Sequence, residues 1–220
     1  MNFRITKDSP APNWDSIPKP EDDGAANHLT GTDLPSIALS STSGSTIDLS
    51  KLAGLTIVFF YPRTAAPNEN VPESWNSIPG ARGCTPQACS FRDASRDLLS
   101  LGVSHIFGCS TQDTAYQTEL KQRTNLPYQL LSDEKLDLCN AMKLPNFEWQ
   151  GQDGFGGGKL TLLKRLTLAI EDGKVVKVFS PVFPPDESAN EVVKWLKGYA
   201  GRTNLSTKDE DQMMRNLQHR

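Results

Sequence analysis

Cysteine and histidine are scarce in this chain, with four and three residues respectively among 220. So few cysteines cannot staple a secreted disulfide scaffold. His28, His105 and His219 are scattered, and no second cysteine pair has the spacing of zinc ligands, so neither a metal site, a cofactor nor a cysteine–histidine hydrolase pair is expected. Long apolar runs are missing too. The strongest, residues 55–61, falls far short of the roughly 18–20 residues that cross a bilayer, so no membrane span is expected. Residues 1–8 lack the apolar core of a signal peptide and include an acidic residue, so the expected compartment is the cytoplasm. Excess positive charge is absent, with 23 Lys and Arg against 26 Asp and Glu. That balance gives no electrostatic reason to expect nucleic acid, and points to small-molecule or protein partners.

What is present is orderly. Residues 1–28, rich in Pro, Asp and Asn, predict an extended arm without a catalytic role. Ile37 and Leu39 alternate with polar residues, and after a Ser/Gly turn Ile47 and Leu49 complete a hairpin. Leu55-Thr56-Ile57-Val58-Phe59-Phe60-Tyr61, closed by Pro62, predicts a central strand covered on both faces. A long loop with Pro67, Pro72, Pro79, Gly80 and Gly83 follows; it ends where Thr85 offers an N-cap and Pro86 a first helical position. That helix is predicted to run to about 101, with Phe91, Ala94 and Leu98 on its apolar side. A strand over 103–110, helices over 114–124 and 134–142 and a short extended segment at 129–131 come next. Two β-like runs, 160–170 and 175–179, flank the turn Glu171-Asp172-Gly173-Lys174. The glycine-rich stretch 151–160 has Asp153 and Leu160 where a phosphate loop needs Gly and Ser or Thr, and predicts a flexible loop instead. Ser188 and Glu191 fit a capping box opening a helix that buries Val192, Leu196 and Tyr199 before Gly201. Residues 202–220 read as a polar tail, with a short helix around Met213 and Leu217. Strands alternating with helices, with a late hairpin, predict an α/β layered domain around a mixed sheet.

The chemistry concentrates in Gly80-Ala81-Arg82-Gly83-Cys84-Thr85-Pro86-Gln87-Ala88-Cys89-Ser90-Phe91-Arg92-Asp93. Cys84 stands where a strand–loop–helix connection enters its helix. Free backbone N–H groups and the positive dipole end there favour the thiolate, which is the nucleophilic form. Arg82 and Arg92, close in sequence, can add positive potential. In an unbroken helix the spacing to Cys89 separates the two Cα atoms by about 8–9 Å. A disulfide tolerates at most about 7 Å, so bonding requires the first turns of the helix to unwind. Taken alone, the pair reads equally well as two small buried residues. Cys109, in a predicted central strand, and Cys139, on a helical stripe with Leu136 and Met142, read as core.

Together, Phe60-Tyr61-Pro62, the Gly83 to Cys89 segment and Phe91-Arg92-Asp93 resemble the peroxiredoxin superfamily. The best match is its Q type, or bacterioferritin-comigratory-protein type, in the atypical two-cysteine form. The resemblance covers roughly residues 30–200. It implies a thioredoxin-like fold, an α/β architecture with a mixed central β-sheet flanked by helices. It further implies that Cys84 is the peroxidatic cysteine and Cys89 the resolving cysteine, joined in an intrachain disulfide that thioredoxin reduces. The implied substrates are hydrogen peroxide and small organic hydroperoxides. Pro62 matches the family proline that shields the sulfenic acid, and Arg165 the family arginine that begins a strand beside the active cysteine. Two departures stand out. An insertion over about 63–80 separates Pro62 from Cys84, and Ala81 occupies the place of a family threonine, for which Thr64 is the candidate replacement. The resulting organisation is an arm over 1–28, a domain over 29–201 and a tail over 202–220. A thioredoxin-type oxidoreductase would need the C-x-x-C spacing this chain lacks; a non-enzymatic redox sensor would use the same disulfide without turnover. An intrachain pair needs no second subunit, so a monomer is expected, with a dimer as the alternative.

Overall fold

The computed structural model describes residues 13–199 except 68, 153 and 154. A hairpin of β1 (Ala38–Ser41) and β2 (Thr46–Asp48) leads into β3 (Leu55–Phe60), every residue of which is buried. A one-turn helix α1 (Glu73–Asn76) precedes α2 (Cys84–Asp93) and α3 (Ser95–Ser100). Then come β4 (Val103–Ser110), α4 (Thr114–Thr124), β5 (Gln129–Ser132) and α5 (Asp137–Met142). The chain continues through β6 (Asn146–Gln152), β7 (Phe155–Leu163), β8 (Leu166–Glu171) and β9 (Lys174–Phe179) to a helix α6 over 188–199.

Seven strands form one sheet in the order β2-β1-β5-β4-β3-β8-β9. β3 runs parallel to β4, and β4 to β5, while β3 and β8 are antiparallel. The parallel pairs need crossovers, which α2–α3 and α4 provide. The expected mixed sheet flanked by helices is therefore present. Side-chain alternation along β3 feeds two cores. Val58 and Phe60 pack with Leu131, Leu138, Met142 and Leu168 on one face. Ile57, Phe59 and Tyr61 pack with Phe91, Leu98, Leu120, Val192 and Leu196 on the other. Phe91 lies flat on Phe59, with ring centroids 4.5 Å apart and planes 5° from parallel. This stack fastens the middle of α2 to the central strand.

The structure corrects several expectations. The glycine-rich 151–160 stretch is no loop: its described residues belong to the antiparallel β6–β7 pair, with Trp149 opposite Leu160 and Gln152 opposite Phe155. Glycine lets the two strands close up, since a Cβ on Gly151 would sit 1.5 Å from the Gly156 carbonyl oxygen. The run 160–170 is two strands in two sheets, because Lys164 N–H turns back to the Pro145 carbonyl at 2.8 Å between them. α5 begins at Asp137 rather than 134. Leu136 adopts φ 61°, and the Asp133 carboxylate caps the N–H groups of Leu138 and Cys139 at 3.0 and 2.8 Å. Leu136 thus lies outside the helix, although Cys139 and Met142 are buried as expected. The helix expected over 85–101 is interrupted at Ala94, where ψ opens to 0°. Ser188 is already helical (φ −54°, ψ −45°), following a 3-10 turn over Pro185–Glu187, and its hydroxyl faces inward instead of forming a capping box. Tyr199 is half-buried, stacking on Trp195 and donating to Glu171 Oε2 at 2.7 Å. Gly201 and the helix predicted around Met213 and Leu217 lie outside the described residues.

The described parts of the predicted arm and insertion, residues 13–28 and 63–80 without 68, both rest on the domain. Asp23 pairs with Lys164 at 2.6 Å, and His28 Nε2–H donates to the Met142 carbonyl at 3.0 Å. Trp75 of α1 meets Trp149 and Phe155 edge-on at 5.1 and 5.0 Å, building a third apolar cluster with Ala81 and Leu162. Among the described residues, no helix is long and apolar enough to cross a membrane, and no group of His, Cys, Asp or Glu could hold a metal ion.

If the Phe59–Phe91 stack carries the α2 face of the core, Phe91→Ala will lower unfolding free energy in urea by about 3–5 kcal/mol. A loss below about 1 kcal/mol would show that the site had not been packed as described.

Candidate active site

The loop after α1 enters α2 through Gly83, whose φ of 103° is open only to glycine without strain. A Cβ there would also collide with Pro185 Cγ at 2.5 Å and the Trp14 ring at 2.9 Å. Gly83, not Thr85, is therefore the N-cap, and Cys84 is the first helical residue. Pro86 is tolerated because its missing N–H falls among the first four, which have no partner within the helix.

Cys84 is only 4% exposed, and its sulfur lies 3.5 Å from the Ala81 carbonyl oxygen. Arg165, in the link between β7 and β8, reaches the same place. Its Nη2 donates to Cys84 Sγ at 3.2 Å and to the carbonyls of Gly80, Ala81 and Arg82 at 3.2, 3.3 and 3.2 Å. Its Nη1 donates to Gln87 Oε1. Gln87 Nε2 donates to Ser188 Oγ at 3.3 Å, and that hydroxyl meets Thr167 Oγ1 at 3.3 Å. Arg165 is 4% exposed, and no carboxylate pairs with it among the described residues. A buried cation held only by neutral acceptors lacks a counter-charge. The Cys84 sulfur is among the atoms that this unpaired cation faces.

Comparison with known proteins places this geometry. The Redoxin family model matches residues 29–193. The chloroplastic peroxiredoxin Q of Suaeda salsa is 30% identical over 169 residues, spanning 76% of this chain and 67% of that protein. Peroxiredoxin Bcp of Escherichia coli K12 is 29% identical over 177 residues, covering 79% of this chain and 99% of that one. Among solved structures, peroxidoxin BcpB from Mycobacterium tuberculosis superposes with a TM-score of 0.59 at 25% identity, over 77% of this chain and 97% of its own. The chain belongs to the Q-type peroxiredoxins. They are thiol peroxidases, and the fold is thioredoxin-like.

The remaining predicted residues of this peroxiredoxin fall into place unequally. Pro62 is buried immediately after β3, next to Tyr61, which shares an apolar cluster with Cys84. Burial pushes the Tyr61 phenol well above its usual range, so it adds no negative charge beneath the sulfur. Thr64 is turned to another partner: its hydroxyl donates to Gln112 Oε1 at 3.1 Å, and Gln112 Nε2 returns a bond to the Thr64 carbonyl. Ala81 is buried in the Trp75 cluster. Arg82 points its side chain away to Asn76 Oδ1 at 2.8 Å, and Arg92 engages Asp93 and the Thr124 carbonyl, so neither guanidinium joins the group around Cys84. Gln87 and Thr167 were not singled out in the sequence, and Ser188 was read there only as a helix cap. The available signal was the spacing of Gln87, one turn from Cys84 on the same helix face.

Cys89 shares the continuous helix α2 with Cys84, and both are free thiols. Burial, opposed by Arg92 and reinforced by Asp93, raises the Cys89 thiol above its ordinary value. The folded chain therefore binds this proton more tightly than the unfolded chain does. Its contribution to stability is intact below the ordinary thiol range and is lost as pH rises from there through the raised value of the folded chain. Amide exchange across α2 should accelerate on moving into alkaline solution, and Cys89→Ser should flatten that component. The same pH dependence in both proteins would contradict it.

Proposed function

We propose that this peroxiredoxin reduces hydrogen peroxide and small organic hydroperoxides with Cys84 as the peroxidatic cysteine, Cys89 as the resolving cysteine and thioredoxin as the reductant. The carrying observation is the Arg165 guanidinium, buried with no carboxylate partner among the described residues and 3.2 Å from the Cys84 sulfur. The thiolate attacks the nearer peroxide oxygen: an S–O bond forms, the O–O bond breaks, and water or an alcohol leaves after taking up a proton. Arg165, fixed by Gln87, stabilises the charge moving from sulfur to the leaving oxygen at no cost in reorganisation. Pro62 shields the resulting sulfenic acid from water. Cys89 then attacks the sulfur, giving an intrachain disulfide and water, and thioredoxin restores both thiols by exchange. No metal or cofactor takes part. We place this cycle in the cytoplasm and in a single chain, since every reacting group belongs to it, with a dimer as the alternative.

One equivalent of peroxide should make the peptide containing Cys84 and Cys89 lighter by a pair of hydrogens, the mass signature of a disulfide. Cys84→Ser should abolish peroxide consumption. Cys89→Ser should accumulate sulfenic acid and stall unless an external thiol is supplied. Turnover with thioredoxin and its reductase distinguishes an enzyme from a sensor, which would stop after stoichiometric oxidation. Cys84 left unoxidised while peroxide is consumed would overturn the proposal.

A further inference from the structure

Residues 80–83 join the insertion to α2, and they are held from several sides. Arg165 gathers the carbonyls of Gly80, Ala81 and Arg82. Ala81 is fully buried among Trp75, Trp149, Phe155 and Leu162. Successive backbone turns tie it to α1, with Ile78 N–H on the Trp75 carbonyl at 3.3 Å and Ala81 N–H on the Ile78 carbonyl at 3.1 Å. On the other side Trp14 and Pro185 press against Gly83. Trp14 is itself fixed by Nε1–H on Asp186 Oδ2 at 2.9 Å and by an edge contact with Phe183. The Cys89 half of α2 is anchored differently, to the sheet side of the domain. Tyr128 donates to the Ala88 carbonyl at 2.6 Å, Arg92 to the Thr124 carbonyl at 2.9 Å, and Phe91 stacks on Phe59. The two halves of α2 are thus braced separately, and the braces on the Cys84 end include Trp75 and Trp14.

We propose that Trp75 and Trp14 are positioning residues: by holding residues 80–83 they set how fast Cys89 resolves the Cys84 sulfenic acid, and so how much of it is over-oxidised. The inference rests on the intrachain disulfide proposed above. The sulfenic acid has two fates. In resolution the Cys89 sulfur attacks, the S–S bond forms, the S–O bond breaks, and hydroxide departs with the Cys89 proton as water. In over-oxidation the sulfenate sulfur attacks a second hydroperoxide molecule. A second S–O bond forms, the O–O bond breaks, an alcohol or water leaves, and the sulfur becomes sulfinic acid. Resolution needs the start of α2 open; over-oxidation needs it closed, with Arg165 still against the sulfur. Loosening either brace shifts the partition toward the disulfide.

The test is quenched-flow mass spectrometry of wild type, Trp75→Leu and Trp14→Ala, recording disulfide and sulfinic acid against peroxide concentration. Trp14→Ala leaves the Trp75 cluster intact and so reports even if Trp75→Leu does not fold. Each folded variant should form the disulfide about tenfold faster, equivalent to ~1.4 kcal/mol removed from the closed state. The sulfinic fraction at a given peroxide concentration should fall in proportion. A purely structural role would leave this partition unmoved. Disulfide formation at the wild-type rate in the folded variants overturns the inference alone. A wild type that, like Cys89→Ser, yields sulfenic and sulfinic acid but never a disulfide overturns the underlying mechanism with it.

Discussion

A guanidinium buried without a carboxylate is an expensive thing to fold around, and much of the site follows from that one group. Arg165 is held by three consecutive loop carbonyls, a glutamine oxygen and a cysteine sulfur. The carbonyls are available because residues 80–82 precede the helix, where backbone oxygens are not consumed by helical bonding. Gln87 is oriented by Ser188, which brings α6 and β8 into the same network. Moving any of these elements removes part of what holds a buried charge, and that links the sheet, two helices and the loop to a single sulfur atom.

The same network sets a conflict that the chemistry has to resolve. In the cycle we propose, peroxide reduction needs Cys84 held against Arg165 at the start of an intact helix. Disulfide formation needs that helix opened, because an i to i+5 pair in a regular helix is too far apart to bond. Cys89 sits half-buried, and burial raises its thiol above the ordinary value. In the proposed cycle, opening brings the two sulfurs closer and lifts the burial of the second in one movement. The insertion and the N-terminal segment bear on the balance through Trp75, Ala81, Trp14 and Gly83.

The central strand at β3, helix α4, the β8–β9 hairpin and the placement of Cys84 at a helix start were legible in the sequence, since each has a strong local pattern. The β6–β7 pair was not. Its glycines suggest a loop when read locally, and only the burial of Trp149 and Phe155 against Trp75, more than seventy positions away in the chain, makes strands of them. Ser188 misled for a similar reason: Ser three residues before Glu is the pattern of a cap, but its hydroxyl is claimed by Gln87 and Thr167 from distant elements. Arg165 was recognisable by family likeness; that it has no carboxylate partner among the described residues is legible only in the fold. Thr64 was a reasonable substitute for the hydroxyl missing at Ala81, but Gln112, invisible to local reading, holds it instead.

The central claim is that Arg165 stabilises negative charge on Cys84, and ultraviolet thiolate absorbance tests it most directly. The Cys84 signal is the difference between Cys89→Ser and the Cys84→Ser/Cys89→Ser double variant at neutral pH, measured with Arg165 present and with Arg165→Gln. The account predicts a clear thiolate signal with the arginine and its loss without it. An equal signal in both backgrounds would contradict the account.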